Sequence, residues 1–276
     1  MTRCPIICRT LASEYRLHLP TEGDAERFRF VEASPRLAAD LKVVDIVFHG
    51  GDGLYRADLP RVGRAEGNTD HCLARLTGLL RWDQLWSHPG HPLVHGATLR
   101  VGGKRFLIVG DKGAGKTTLV LHMLVRGHDV EGDEHLVVLD GEVVARPRRL
   151  RIKPNSFETV RGLPAGIEDA PTLTDRNGLK HRSVDPAMFG RPWVIGQGRL
   201  DAILFATANR GGVSRLRPIL AEESFGLLRA NAYLFRTSVG LAMARLRSLA
   251  FQTPSFAFRL GTLDSAESHL VRLAEA

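Results

Sequence analysis

Residues 106–139 read FLIVGDKGAGKTTLVLHMLVRGHDVEGDEHLVVL, and this stretch decides how the 276-residue chain is understood. Positions 110–117, GDKGAGKT, satisfy the pattern G-x-x-x-x-G-K-[ST] in full. The pattern is flanked by an apolar strand, Phe106 to Val109, and by an apolar helix expected from about Lys116 to Arg126, which is the setting a phosphate-binding loop needs. The residue types have physical reasons. Gly110, Gly113 and Gly115 open backbone torsions that side chains forbid, so successive N–H groups can turn toward phosphate oxygens. The start of the helix adds partial positive charge. Lys116 is placed to bridge outer phosphates and the Thr117 hydroxyl to hold Mg²⁺. The candidate nucleotide-binding set is Gly110, Asp111, Lys112, Gly113, Ala114, Gly115, Lys116, Thr117 and Thr118.

The second half of the stretch carries the acids. A nucleotide hydrolase or switch usually has an apolar strand that ends in Asp. Here the best apolar strand, LDAILFATA at 200–208, has its acid, Asp201, at the start and ends in Thr and Ala. The acids stand instead after the loop helix, as Asp133 and Glu134. An alcohol attacking a terminal phosphate needs one carboxylate to accept its proton and another to hold the metal, and adjacent carboxylates divide those roles when their surroundings separate their pKa values.

At this point the sequence resembles the bacterial HPr serine kinase/phosphorylase family and its HPr-kinase-like relatives. The residues that carry the resemblance are His95-Gly96, the loop 110–117, Arg126-Gly127-His128 and Asp133-Glu134, in the family's order and spacing. A looser likeness runs through LDAILFATANRGG, LRPILAEESFGLL and SFAFRLGTLDSAESHLVRL. The resemblance implies a P-loop kinase fold akin to phosphoenolpyruvate carboxykinase. It implies ATP and Mg²⁺ as cofactors, and transfer of the γ-phosphoryl group to a serine-type hydroxyl on a protein, peptide or small molecule. It assigns Asp133 as base, Glu134 with Thr117 as metal ligands, and His95 beside them to orient or tune a carboxylate, with Lys116 completing the catalytic set. The founding family forms hexamers, so a homo-oligomer is an expectation of the same kind. The chain departs from the family at Glu134, where the second acid is one methylene longer. It departs again after Arg161-Gly162-Leu163, where Pro164 replaces a glycine and Glu158 is displaced by one, so HPr itself is not assigned as substrate. The alternative reading is a nucleotide-gated ATPase or binding module that acts through partners.

Composition narrows the rest. With 43% hydrophobic and 25% charged residues the chain has the make-up of an ordinary soluble protein, and no apolar run reaches membrane-spanning length. The N-terminus lacks a continuous signal-peptide core, which reads as cytoplasmic. The net charge of +8 is spread along the chain. Its densest cluster is RPRRLRIK, 146–153, without the aromatic interleaving or zinc spacing of a nucleic-acid binder. The cluster reads equally as a solvated strand edge or a substrate-facing surface, with Arg151 and Lys153 on one face of a strand. Arg161, Arg182 and Arg191 are further candidates to clamp a phosphate or an acidic substrate. Cys4 and Cys8 have the spacing of two zinc ligands but no second pair close by. They and Cys72 read as small, half-buried thiols.

The expected organisation is an N-terminal accessory region, 1–90, β-rich with one helix, followed by a P-loop kinase-like domain, 91–276, built on a mixed α/β sheet with flanking helices. Within the first part, RLHLP, FRFVEA and LKVVDIVFH read as strands and 50–70 as turns. DHCLARLTGLLRWDQLW reads as a helix capped by Asp70. Residues 93–109 read as two strands joined by a Gly-Gly-Lys turn, and a DG turn at Asp140-Gly141 divides further short strands. Region 154–198 reads as irregular. Strand 200–208, two amphipathic helices, a last strand SFAFRLG and a closing helix complete the chain.

Overall fold

The computed structural model describes residues 5–33, 41–146, 148–175, 177–191, 196–234 and 238–276, apart from the side chain of Gln84. Cys4 lies outside the described residues. Near the N-terminus, β1 (Ile6–Arg9) and β2 (Ser13–His18) form an antiparallel pair. Helix α1 (Glu22–Phe28) follows, capped by Thr21, whose hydroxyl accepts from the Asp24 N–H at 3.1 Å. The chain then makes a single 3-10 turn over Arg29–Val31. FRFVEA is therefore the end of a helix rather than a strand. Its aromatic residues, Phe28 and Phe30, are wholly buried, so their hydrophobicity serves packing against β1–β2 and not a pleat. This region also holds two α-helices where one was expected.

Strand β3 (Lys42–Val47) joins β2 in parallel. Residues 50–70 are not only turns. Strands β4 (His49–Gly51), β5 (Leu54–Leu59) and β6 (Gly63–Asn68) make a three-stranded antiparallel sheet. In β5 the buried residues Tyr55, Ala57 and Leu59 alternate with exposed ones, the period-2 signature of a half-buried strand. Helix α2 (Thr69–Ser87) follows, and its cap is Asn68, whose side chain accepts from the His71 N–H at 2.9 Å. Asp70 is not the cap. It sits in the first turn and its carboxylate accepts from the Thr174 N–H. Cys8 and Cys72 are fully buried, and burial pushes both thiols up.

The second half centres on one mixed sheet. Its strands are β7 (Leu93–Val101), β8 (Lys104–Val109), β9 (Asp129–Gly132), β10 (His135–Val138) and β11 (Val143–Ala145), with α3 (Lys116–Val125) after β8. Strands β12 (Leu150–Ile152), β13 (Thr172–Thr174) and β14 (Lys180–Val184) form a separate small antiparallel sheet, with α4 (Pro154–Thr159) between β12 and β13 in the chain. Region 154–198 thus carries structure where an irregular segment was expected. The chain returns through β15 (Ala202–Ala208), β16 (Arg215–Pro218), α5 (Ala221–Ala230), β17 (Ala232–Tyr233), α6 (Val239–Gln252), β18 (Ser255–Leu260) and α7 (Leu263–Glu275).

The order across the main sheet is β11-β10-β7-β8-β15-β18-β16, with β9 and β17 also paired to β7. Strands β8, β15 and β18 run parallel, and their neighbours run antiparallel. Alternation along the strands sends Phe106, Ile108, Ala202, Leu204 and Ala206 to the face covered by α3 and α7, and Leu107, Val109, Ile203 and Phe205 to the face covered by α5 and α6. The fold is mixed α/β, with helices on both faces of its central sheet. No helix among the described residues is long and apolar enough to cross a membrane.

Candidate active site

The glycine-rich turn lies at the C-terminal end of β8, next to the C-terminal end of the parallel β15. That is the edge where open α/β sheets gather their ligands. A side chain at Gly110 would collide with the Ala206 carbonyl, and Gly113 and Gly115 hold φ of 95° and 96°. Gly115 precedes α3 in the left-handed region and no side chain caps the helix, so its first N–H groups are left to whatever occupies the turn. Asp111, Lys112 and Gly113 are exposed at the rim, while Ala114 is buried beneath. Lys116 is buried as well. Its ammonium folds back onto the turn, donating to the carbonyls of Gly110 at 2.5 Å and Asp111 at 3.1 Å. Burial pushes its pKa down, while Asp133 and Asp111 pull it back up.

Strands β9 and β10 are two pieces of one run antiparallel to β7, and Asp133-Glu134 fill the break between them. Asp133 is 5% exposed, and its Oδ2 accepts from the Thr117 hydroxyl at 2.9 Å. No described residue hydrogen-bonds its other oxygen. Burial raises the Asp133 pKa, opposed in decreasing order by Arg148, the Thr117 hydroxyl, Lys116 and Lys153. Glu134 holds φ of 95°, rare for a residue with a side chain. That turn aims its carbonyl at β7, where it accepts from the Gly96 N–H at 3.1 Å and sits 2.8 Å from His95 Nδ1. The side chain turns the other way, into an ion pair with Arg148.

Thus His95 meets the backbone of Glu134 and not a carboxylate. Its imidazole is pushed down to about 4 by burial and then by the charges of Lys116, Arg148 and Lys153, which leaves it neutral at physiological pH. Gly96 is required beside it, because a Cβ there would lie 2.8 Å from the Ile108 carbonyl oxygen. Thr118 reaches out of the loop helix to Ser156 in α4, with the two hydroxyls 2.9 Å apart.

Other expected residues go elsewhere. Arg126 and His128 both close on Glu267 of α7, at 2.9 and 3.2 Å, so the Arg-Gly-His turn fastens α3 to α7 and does not face the acids. Arg191 pairs with Asp129, Arg182 lies over the Phe157 ring, and Arg161 is exposed. The cluster 146–153 is not a solvated edge, since Arg146 and Arg148 are buried. Arg148 is the residue sequence reasoning missed. Its only signal was membership of a basic run, and nothing in the run distinguished an inward arginine from an outward one.

The pieces together can do a defined set of things. Open helix N–H groups and an ammonium suit phosphate oxygens. A hydroxyl beside a buried carboxylate offers hard oxygen donors of the kind Mg²⁺ takes. A carboxyl raised by burial is poised to accept a proton.

No protein-family model matches the chain, and no curated protein does. Among solved structures it is similar to the Hpr(Ser) kinase/phosphatase from Coxiella burnetii, at 13% identity, covering 66% of this chain and 93% of that one, with a TM-score of 0.31. That is a distant likeness of fold and says nothing of chemistry.

Proposed function

We propose that this chain is an ATP-dependent phosphotransferase that moves the γ-phosphoryl group to a hydroxyl acceptor. The observation that carries the reading is the 2.9 Å contact between Thr117 and the buried Asp133, which joins the phosphate-type turn to an acid with a raised pKa. On this reading the turn 110–117 and the N-terminus of α3 hold the phosphates, and Lys116 leaves its backbone carbonyls for the outer ones. Thr117 and the Asp133 oxygen it touches would hold Mg²⁺, which when bound neutralises charge on the transferring group; the Glu134 carboxylate, expected as a metal ligand, is instead held by Arg148. The free oxygen of Asp133 accepts the proton of the attacking hydroxyl. His95, held neutral, fixes the Glu134 carbonyl and so the backbone geometry of the acid pair. The hydroxyl belongs to a protein, peptide or small molecule.

The test uses γ-labelled ATP and Mg²⁺ with purified protein and an extract as the source of acceptors, wild type beside Asp133→Asn. The expected result is label on a hydroxyl with wild type only, while Asp133→Asn still binds nucleotide. Undiminished transfer by Asp133→Asn removes the assignment of the base. Label released only as free phosphate, whatever the acceptor, replaces the kinase by a nucleotide hydrolase.

A further inference from the structure

Three strands place a row of polar side chains on one face of the sheet. His95 on β7 is the register partner of His135 on β10, and the Arg146 N–H just beyond β11 donates to the His135 carbonyl. The same face carries Leu93, Val137 and Val144, which pack with Leu85 of α2. In this row His135 and Arg146 are buried and His95 is half-buried, on the face that α2 packs against. Arg148 and Arg151 come to it from the following segment, and Arg151 reaches Thr77 of α2 at 2.9 Å and lies over Phe30.

Among the described residues this row has more donors than acceptors. Arg146 is 2% exposed, and its Nε and Nη1 have no hydrogen-bond partner among the described residues. The same holds for Nη2 of Arg148 and for the ring of His135, whose neutral imidazole offers one donor and one acceptor. The described carboxylates nearby are already engaged, Asp133 through one of its two oxygens. Glu134 pairs with Arg148, Asp133 accepts from Thr117, and Glu32, at the cavity wall, pairs with Arg29 and Arg149. Orphaned buried donors each cost free energy, and uncompensated buried charge costs more. Arginine does not escape by shedding its proton. Burial, with the neighbouring arginines, lowers Arg146 to about 9 and Arg151 to about 10, so both stay charged at neutral pH.

We propose that Arg146, Arg148, Arg151 and His135 form a second anion site, distinct from the turn at 110–117, that takes the phosphate or carboxylate group of a ligand. Planar guanidinium forks match such oxyanions two bonds at a time. The cavity these arginines line measures about 10 Å³, room for about one water, so binding of an oxyanion requires the long side chains to move apart. The ion pair from Arg148 to Glu134 puts this site against the acid pair.

The test is a calorimetric titration of the full chain carrying Lys116→Ala, which disables the loop's own lysine, with inorganic phosphate in one arm and malonate in the other. Saturable binding of at least one anion is expected. Adding Arg146→Gln or, separately, Arg146→Met should weaken it by at least about tenfold. Without anion, Arg146→Met should melt no lower than its parent, since it removes a buried charge that lacks a partner. Phosphate or malonate should raise the melting temperature of the parent and not of the variant. Binding of phosphate alone assigns a phosphate ligand, and binding of malonate alone a carboxylate. No saturable uptake of either anion by the Lys116→Ala protein overturns the site. So does an affinity that both Arg146 variants leave unchanged. These readouts require no phosphoryl transfer, so they stand or fall apart from the kinase reading.

Discussion

Half-buried His95 and buried His135 are held neutral in a site rich in positive charge, and that sets the sign of the protein's response to acid. Both imidazoles have pKa values below the ordinary 6.5, His95 at about 4 and His135 well below its usual value. The unfolded chain takes up protons at these residues as pH falls through 6.5, while the folded chain keeps both neutral to lower pH, His95 until near 4. Stability is therefore insensitive to them above about 6.5 and falls as pH drops below it, for His95 until near 4. For His95 alone the loss between pH 7 and pH 5 is up to about 2 kcal/mol, and His135 adds to it with the same sign. Asp133 works the other way. Its raised pKa means that the folded state gains relative stability as pH falls into the carboxylate range. Urea denaturation at pH 7 and pH 5 measures the balance. His95→Gln should flatten the dependence between these two values, and an unchanged slope would remove His95 as its source. At Glu134 a glycine would relax the left-handed backbone but lose the partner of Arg148. Glu134→Gly should therefore leave Arg148 as another buried cation without a partner, and phosphate or malonate should stabilise that variant more than wild type.

At the scale of elements, the acids rest on an ion pair beneath them. Glu131 of β9, 2% exposed, accepts two bonds from Arg105 of β8, at 2.7 and 2.8 Å. Removing one partner leaves the other buried and uncompensated. Arg105→Met or Glu131→Leu alone should cost about 3–5 kcal/mol, while the double variant recovers most of that, as equilibrium unfolding of the three proteins would show. The Asn68 cap of α2 is worth about 1 kcal/mol, so Asn68→Ala should lower stability by that amount and Asp70→Ala should not through capping. These elements also show what the sequence made legible. The turn 110–117, helix α3, the β7–β8 hairpin and β15 were readable because each carries its own local rule: a fixed glycine spacing, a helical apolar run, a Gly-Gly turn, or an unbroken run of buried residues. Phe28 and Phe30 misled because aromatic residues favour strands only where a neighbouring strand exists to receive them. Residues 50–70 misled because Asp52-Gly53 and Gly63 mark the turns of a small sheet whose strands are too polar to stand out. The inward arginines were not legible at all. A strand shows which side chains share a face, but only the packing of α2 shows which face is covered.

For the whole molecule, the N-terminal sheets and the main sheet share contacts that bear on independence. Ser183 donates to the Phe30 carbonyl at 2.8 Å, Arg149 pairs with Glu32, and Leu85 of α2 packs on Leu93, Val137 and Val144. We propose residues 1–90 as an accessory region and 91–276 as the catalytic unit, and predict that 91–276 expressed alone is less stable than the full chain and binds a hydrophobic dye. A fragment as stable as its parent would make the accessory region a separately attached module. The parallel pairing of β8 with β15 has one more consequence. Phe106 lies beside Ala202, so a strand made early in synthesis waits for a partner made roughly a hundred residues later. At about 5–20 residues per second that is an interval of about 5–20 s. Through it, an apolar strand edge and the turn that follows stand unpaired in the cell, which gives a chaperone or an aggregating neighbour a definite window in which to find them.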